Sequence, residues 1–450
     1  MTMNLESGDM DILIRGGTVL TMSGGGEIIH NAVIGIKGDK IAFAEKNEES
    51  SSRLYRARNT MDASGSLILP GLVNTHTHLP MVAFRGMADD LPLMEWLSRH
   101  IFPAEAKYVN RQMVYDTARL AIAEMILSGT TTFCDGYFYE SGIARAAMEC
   151  GMRAVPSAGF IDLPFPDSPD PANHTGIAWK YLARWKDRST LITPALFCHS
   201  PYTCKPETIR IVKEAARKAG VPFLIHLAET QEEVRITREL YGLTPVRHLH
   251  RLGVLDEKTI AIHAIWVDDE EIDILGDCGV KVSHCPESNM KLASGICPLT
   301  KLIDRGIAVG LGTDGAASNN DLDMFGEMDK AAKVDKVMRM DPTIMGAETV
   351  LRMATIGGAE VLGLEKEIGS IEPGKRADII ILDTKKPHLT PLYNPYSHIV
   401  YSASGADVKT SIINGRVVMK DRRLTTLDVD EAMAKVAKIA DAIKKDRLAF

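Results

Sequence analysis

The sequence predicts an α/β protein: a (β/α)8 TIM barrel carrying a small β-sandwich assembled from both ends of the chain. Three observations predict it. Between roughly residues 70 and 315, apolar runs of strand length alternate with longer helical patterns, the mark of βα units around a parallel sheet. Eight such runs can be counted, at 67–78, 130–137, 153–160, 191–199, 222–229, 259–266, 280–285 and 308–314, and eight is the number that closes a barrel. Outside that region the texture changes to short strands punctuated by glycine turns.

Taken in order, residues 1–68 form the N-terminal part of the sandwich, with strands expected at 12–17, 32–36 and 40–44. Residues 69–365 form the barrel. Its helices read as amphipathic: in 206–218, Ile209, Val212, Ala215 and Ala216 recur at helical spacing with charges between them, which marks a packing face. Residues 366–450 return to short strands at 370–382 and 408–419, the second with Asn414-Gly415 as a hairpin turn. These strands are expected to pair with the N-terminal ones, and an Ala/Lys/Asp-rich helix is expected over 428–448.

Composition narrows the function classes. At 450 residues with 45% hydrophobic and 25% charged residues, the chain has the balance of an ordinary folded protein with a large core. A net charge of -7 and the absence of a basic block argue against nucleic acid or an anionic membrane as partner. No apolar run approaches a membrane span. The first ten residues carry Glu6 and Asp9 and no basic residue, the wrong pattern for a secretory signal. The seven cysteines are odd in number, scattered, and form no Cys-x-x-Cys pair, as expected of reduced thiols. Cys198 and Cys285, although beside histidines, read as small packing residues. The expectation is a cytoplasmic protein acting on a small molecule.

The chemistry gathers where the strands end. Leu72-Val73-Asn74-Thr75-His76-Thr77-His78 closes the first run, and side chains two apart on a strand face the same side, so both imidazoles can reach one metal. His-x-His alone is weak evidence. It gains weight because His199, His226, Glu229, His263, His284 and Asp314 also fall at or just after strand ends, where barrel active sites sit. Any one of them taken singly is as easily a hydrogen-bonded structural residue. Together, His76, His78, His226 and Asp314 offer three imidazoles and a carboxylate, a donor set for a divalent metal with room for water. If the backbone turns out of the strand after His226, Glu229 can sit beside the metal and shuttle a proton.

The motifs Pro70-Gly71-Leu72-Val73-Asn74-Thr75-His76-Thr77-His78, His226-Leu227-Ala228-Glu229, Val282-Ser283-His284-Cys285-Pro286, Gly312-Thr313-Asp314-Gly315 and Gly374-Lys375-Arg376-Ala377-Asp378 resemble the amidohydrolase superfamily over essentially the whole chain. Within it, 84–91, 198–202 and 313–320 resemble the 5'-methylthioadenosine/S-adenosylhomocysteine deaminases, with chloro-s-triazine hydrolases nearby. The resemblance implies one divalent metal, Zn²⁺ or alternatively Fe²⁺, on His76, His78, His226 and Asp314, because strand four ends in His199 rather than a bridging lysine. It implies that Glu229 protonates a ring nitrogen, His263 polarises the attacking water, and Asp314 carries a proton to departing ammonia. It assigns Glu105 to ribose hydroxyls and His199 to a purine nitrogen, where the residues alone read as a helix-start surface glutamate and an undecided histidine. His284 is taken as substrate-facing or as support for the site. Trp96 either lines the 5' side of a nucleoside or packs in the core. A homo-oligomer would suit the family.

The resemblance implies arginines after strand three in relatives that accept S-adenosylhomocysteine, to pair with its carboxylate. Here Ser157-Ala158-Gly159 and the acidic, proline-rich stretch 167–173 offer none. A preference for 5'-methylthioadenosine, 5'-deoxyadenosine or adenosine is therefore expected. Rival readings are a hydrolase of another amino- or chloro-heterocycle (an s-triazine, guanine or cytosine) and an inactive scaffold of the same fold.

Overall fold

The computed structural model describes residues 9–50, 55–163, 165–167 and 173–447. The first eight residues, most of the acidic stretch (168–172) and Leu448 at the expected helix end lie outside them.

Eight parallel strands form one sheet in chain order: Leu72–Thr77, Thr130–Tyr137, Arg153–Phe160, Ala195–Cys198, Phe223–Leu227, Thr259–His263, Lys281–His284 and Val309–Leu311, here barrel strands one to eight. A parallel bridge between Thr77 and Asp314 brings the last strand against the first. That seam is held by side chains as well as backbone: Asn74 Nδ2 donates to Thr313 Oγ1 at 2.8 Å, the Thr313 amide donates to Asn74 Oδ1 at 3.1 Å, and the Asp314 amide donates to the His76 carbonyl at 3.0 Å. Gly312 is required here, since a Cβ would lie 2.9 Å from the His76 nitrogen. The seam thus sets two expected metal ligands, His76 and Asp314, side by side.

The expected first strand, 67–78, is two strands in two sheets. Ser66–Pro70 pairs antiparallel with Ile379–Asp383, whereas Leu72–Thr77 enters the barrel. The reason is local. Pro70 has no N–H for a ladder, the Gly71 amide turns aside to the Asp378 carbonyl at 3.0 Å, and Gly71 lies so close to Thr131 that a Cβ would fall 2.0 Å from its hydroxyl oxygen.

The remaining strands form two sheets: a four-stranded one from Lys40–Lys46, Ala32–Lys37, Met10–Arg15 and Ala57–Asp62, and a seven-stranded one that joins Thr18–Leu20, Ile28–His30 and Ser66–Pro70 to four strands from residues 379–424. Both chain ends thus meet in one sheet. Ile12, Ile14, Ile34 and Ile36 pack with Ile68, Ile379, Ile381 and Ile412 in a shared core, as alternation of apolar residues along facing strands requires. Asn414 and Gly415 both take left-handed backbone, φ 51° and 75°, the hairpin geometry their sequence favours. The helix Pro206–Ala219 buries Ile209, Val212, Ala215 and Ala216 as its spacing requires. The last helix, Val429–Arg447, docks on Arg111–Leu127, with Arg119 donating to Glu431 at 3.0 Å. Among the described residues no helix is long and apolar enough to cross a membrane.

Candidate active site

The sharp turns that follow the barrel strands aim the expected residues at one another. Ala228 (φ 52°), His263 (φ 74°), Ala264 (φ 48°) and Asp314 (φ 61°) all adopt left-handed backbone. Each such residue costs on the order of 1–3 kcal/mol, and their concentration at one end of the barrel marks where the fold spends stability on placement. At Ala228 the turn is what Glu229 needs: strand five stops at Leu227, and Glu229 folds back beside His263, its Oε2 3.9 Å from the His263 Nε2.

His76, His78, His226 and Asp314 converge. His226 Nε2 lies 3.2 Å from His76 Nε2, and Asp314 Oδ1 lies 3.3 and 3.2 Å from the Nε2 atoms of His76 and His78. One donor atom from each of the four lies within 4.8 Å of every other. Four N and O ligands with bonds of about 2.0–2.1 Å on a tetrahedron stand ~3.3 Å apart, so the residues present fit a single divalent cation. Their surroundings orient them for it. His78 Nδ1 donates to the Gly136 carbonyl at 2.6 Å, which turns its Nε2 lone pair inward. Ser288 and Ser318 donate to Asp314 Oδ2 at 2.7 and 3.0 Å, leaving Oδ1 for the histidines. Asp135 Oδ1 accepts from the Thr77 hydroxyl at 2.8 Å and the Leu79 amide at 2.5 Å, gripping the chain on both sides of His78.

Burial pulls the imidazoles of His76 (to about 4) and His226 (well below its ordinary value) toward the neutral form. Burial alone would raise Asp314, but hydrogen bonds from His76 and His78 hold it well below the carboxylate range. Burial alone would lower His78 too, but its hydrogen bond to Asp314 and that carboxylate's charge raise it to about 9, so a metal taking the three neutral imidazoles and the anion it requires would displace the His78 proton.

Over this cluster opens a cavity. Glu105, His199, Glu229, His263 and Trp96 all line it, so the structure brings together every expected substrate or catalytic residue except His284. Trp96 is 5% exposed and forms part of the wall. Glu105 is not the surface residue its sequence position suggests: it is buried, accepts from the Tyr137 hydroxyl at 2.6 Å, and is pushed up to about 7 by burial against the pull of that bond. His199, lowered to about 3 by burial and the neighbouring histidines, is neutral, its Nδ1 2.9 Å from Thr203 Oγ1. Glu229 is raised by burial, opposed by His263. The rest of the wall mixes apolar residues, among them Met81, Leu93, Phe102, Phe160 and Ile161, with Tyr137, Ser200, Tyr202, Glu233 and Ser318, and no lysine or arginine is among the described lining residues.

His284 departs from the substrate-facing half of its expected reading: it faces a separate small cavity shared with Asn289, Cys297 and Asp335, beside the Asn289 that bonds His263. Its neighbour Ser283 bonds Thr75 at 2.6 Å across the barrel seam, and alternation along a strand sends the next side chain to the other face. Cys198 and Cys285 are buried and free, as expected of packing residues.

Sequence reasoning missed Asp135, Tyr137, Glu233, Ser288, Asn289 and Ser318. Asp135 and Tyr137 end strand two, so the strand-end rule applied to them as it did to His199. Asn289, whose Oδ1 accepts from His263 Nδ1 at 2.8 Å, and the two serines sit in loops and short helices where nothing local signals their partners.

Known proteins share this arrangement along their length. The Amidohydrolase family model matches residues 67–418. A 5-methylthioadenosine/S-adenosylhomocysteine deaminase of Syntrophobacter fumaroxidans is 48% identical over 440 residues, 98% of this chain and 100% of the relative. A 5'-deoxyadenosine deaminase of Methanothermobacter thermautotrophicus is 46% identical over 428 residues, 93% and 95% of the two chains. Among solved structures, an adenosine deaminase of Xanthomonas campestris with bound zinc superposes with a TM-score of 0.95 at 35% identity, covering 98% of this chain and 100% of its own. The zinc complex of an atrazine chlorohydrolase from Arthrobacter aurescens superposes at 0.89 and 25% identity, covering 95% and 100%. With the barrel, the strand-end cluster and the family match in agreement over most of its length, the chain belongs to the amidohydrolase family.

Proposed function

We propose that this amidohydrolase deaminates adenine nucleosides whose 5' substituent carries no charge, such as 5'-methylthioadenosine, 5'-deoxyadenosine and adenosine. Water replaces the ring amine, giving the inosine analogue and ammonia. His76, His78, His226 and Asp314 would hold one zinc ion, which when bound lowers the pKa of water from about 15.7 to near 7. The protein's own groups do the rest. Glu229, its carboxyl raised by burial, takes a proton from the attacking water and donates it to the ring nitrogen beside the amine-bearing carbon, which makes that carbon electrophilic. His263 orients the attacking water. Asp314 passes its proton to the amine, which leaves as neutral ammonia. Glu105 accepts from ribose hydroxyls, and His199 contacts the purine.

The observation that carries this reading is that a buried, protonatable Glu229 shares one cavity with the metal-ligand cluster and with Glu105 and His199. Two features support the finer assignment. The relatives at 48% and 46% identity are named for adenine nucleosides, and the described cavity wall offers no cation for the carboxylate of S-adenosylhomocysteine. The seven free cysteines fit a reducing, cytoplasmic setting.

Ammonia release against a panel of adenine nucleosides, guanine, cytosine and s-triazines tests the proposal. The expected order places 5'-methylthioadenosine, 5'-deoxyadenosine and adenosine above S-adenosylhomocysteine in kcat/KM. A clear advantage for S-adenosylhomocysteine overturns the preference, and turnover confined to the other heterocycles overturns the nucleoside assignment.

A further inference from the structure

We propose that Glu233 is the positioning residue for Glu229, an ionised clamp that locks the turn after strand five and leaves Glu229 as the carboxyl that carries the proton. The inference rests on the role given to Glu229 above. Glu233 is the third residue of helix Gln231–Tyr241, whose start Thr230 caps by accepting from the Glu233 amide at 3.1 Å. In a capping box, a glutamate here would reach back to the amide of the capping residue itself. Glu233 instead passes Thr230 and takes the two amides before it: Oε1 accepts from Ala228 N and Oε2 from Glu229 N, each at 2.8 Å. On its other side the Ala228 carbonyl accepts from Ile265 and Trp266 amides at 3.1 and 2.8 Å. The left-handed Ala228 is therefore gripped from both ends.

The two carboxyls sit in different surroundings. Both Glu233 oxygens face N–H donors, an arrangement that favours the carboxylate. Among the described residues, Glu229 has the Ser294 hydroxyl, at 3.4 Å, as its side-chain donor. Around Glu229 stand His263, Asp314, His78 and Ser294, with Tyr202 also facing both glutamates. Burial raises both glutamates, and at Glu233 two amides, one donating to each oxygen, oppose that rise. Two adjacent buried carboxyls resist carrying two charges, and unlike environments divide the roles. The partner with both oxygens on amides keeps the charge.

The test compares wild type, Glu233→Gln, Glu233→Asp, Thr230→Ala and Glu229→Gln by kcat and KM for 5'-methylthioadenosine between pH 5 and 10, with metal content and Tm. Loss of the Glu229 proton ends activity on the alkaline side, and a neighbouring negative charge delays that loss. Glu233→Gln removes the charge and sets an amide N–H against a backbone N–H. It is expected to lower kcat about 10–100-fold with KM nearly unchanged, to shift the alkaline limb down by about one pH unit, and to retain metal. Glu233→Asp keeps the charge but is too short to span both amides. It is expected to lower kcat with the limb in place, and it serves if Glu233→Gln does not fold. Thr230→Ala, which weakens the same helix start, is expected to lower Tm and leave the limb where it is. A Glu233→Gln enzyme with wild-type kcat and limb, or one that loses activity equally at all pH values together with its metal, overturns the proposal. An active Glu229→Gln enzyme instead overturns the role given to Glu229, so the two failures are distinguishable.

Discussion

Two of the barrel's buried charge networks, one at each end of its third strand's neighbourhood, are built on opposite principles. Where the barrel meets the sandwich, Arg153 donates to Asp378 through Nε at 2.7 Å and Nη2 at 3.2 Å, to Asn414 Oδ1 at 3.1 Å and to the Thr190 carbonyl at 2.7 Å, while the Asn414 amide donates to Asp378 Oδ1 at 2.6 Å. Cation meets anion, and the forked donors are matched by acceptors. At the opposite mouth, three imidazole Nε2 atoms and one carboxylate oxygen crowd together, with neighbours at 3.2–3.3 Å and no lysine or arginine among the described lining residues. The first is a joint; the second is complete only with a cation. What separates a structural from a functional charge cluster here is the sign balance of its inward-facing atoms, not its burial, since both are buried.

Three changes break or sharpen that contrast. Asp314→Asn at the mouth removes the only anion of the cluster and is expected to lower kcat by ~10³-fold or more, with bound metal falling below one per chain by elemental analysis. Full metal retention with wild-type turnover would show that the cluster is a second joint. At the other end, Arg153→Met strands Asp378 in a buried site without its cation. It is expected to destabilise the fold by about 3–5 kcal/mol, read as a fall in Tm and in denaturation midpoint, while kcat/KM of the folded fraction stays close to wild type. A loss of metal in parallel would show that the two ends are one unit.

The smallest effect concerns Glu105, which belongs to neither network. Its folded-state value is raised to about 7, and the carboxylate is the form that accepts ribose hydroxyls. KM for a nucleoside is therefore expected to fall as pH rises through about 7. Tyr137→Phe removes the hydrogen bond that favours the carboxylate, so the midpoint moves to higher pH and KM at neutral pH rises about tenfold. A KM independent of pH from 6 to 8 in the wild type would remove Glu105 from ribose binding.

The same contrast explains what could be read in advance. His76 and His78 were legible because alternation on a strand is a local rule, and His226, His263 and Asp314 because strand ends in a parallel barrel share one mouth. The Gly374-Lys375-Arg376-Ala377-Asp378 motif was legible as a family mark but not as a joint: Asp378 finds Arg153 225 positions away, and no local pattern reports such a pairing. His284 misled because a strand end names a mouth but not a face; the side chain turned toward the outer helix that carries Asp335. Glu105 misled because its helix, Phe102–Tyr108, is short and polar in places, and only the approach of Tyr137 shows that it is buried.

By itself the sequence determined the eight βα units, the sandwich drawn from both ends, the donor types for one metal and the glutamate beside them, because these follow from periodicity, turn chemistry and residue type within a few positions. Tertiary structure alone decided the splitting of 67–78 between two sheets, the clamp of Glu233 on the Ala228–Glu229 turn, the exile of His284 and the pairing of Arg153 with Asp378. Each of those depends on which groups burial leaves within hydrogen-bonding reach of each other, and that distance is set by packing rather than by neighbours along the chain.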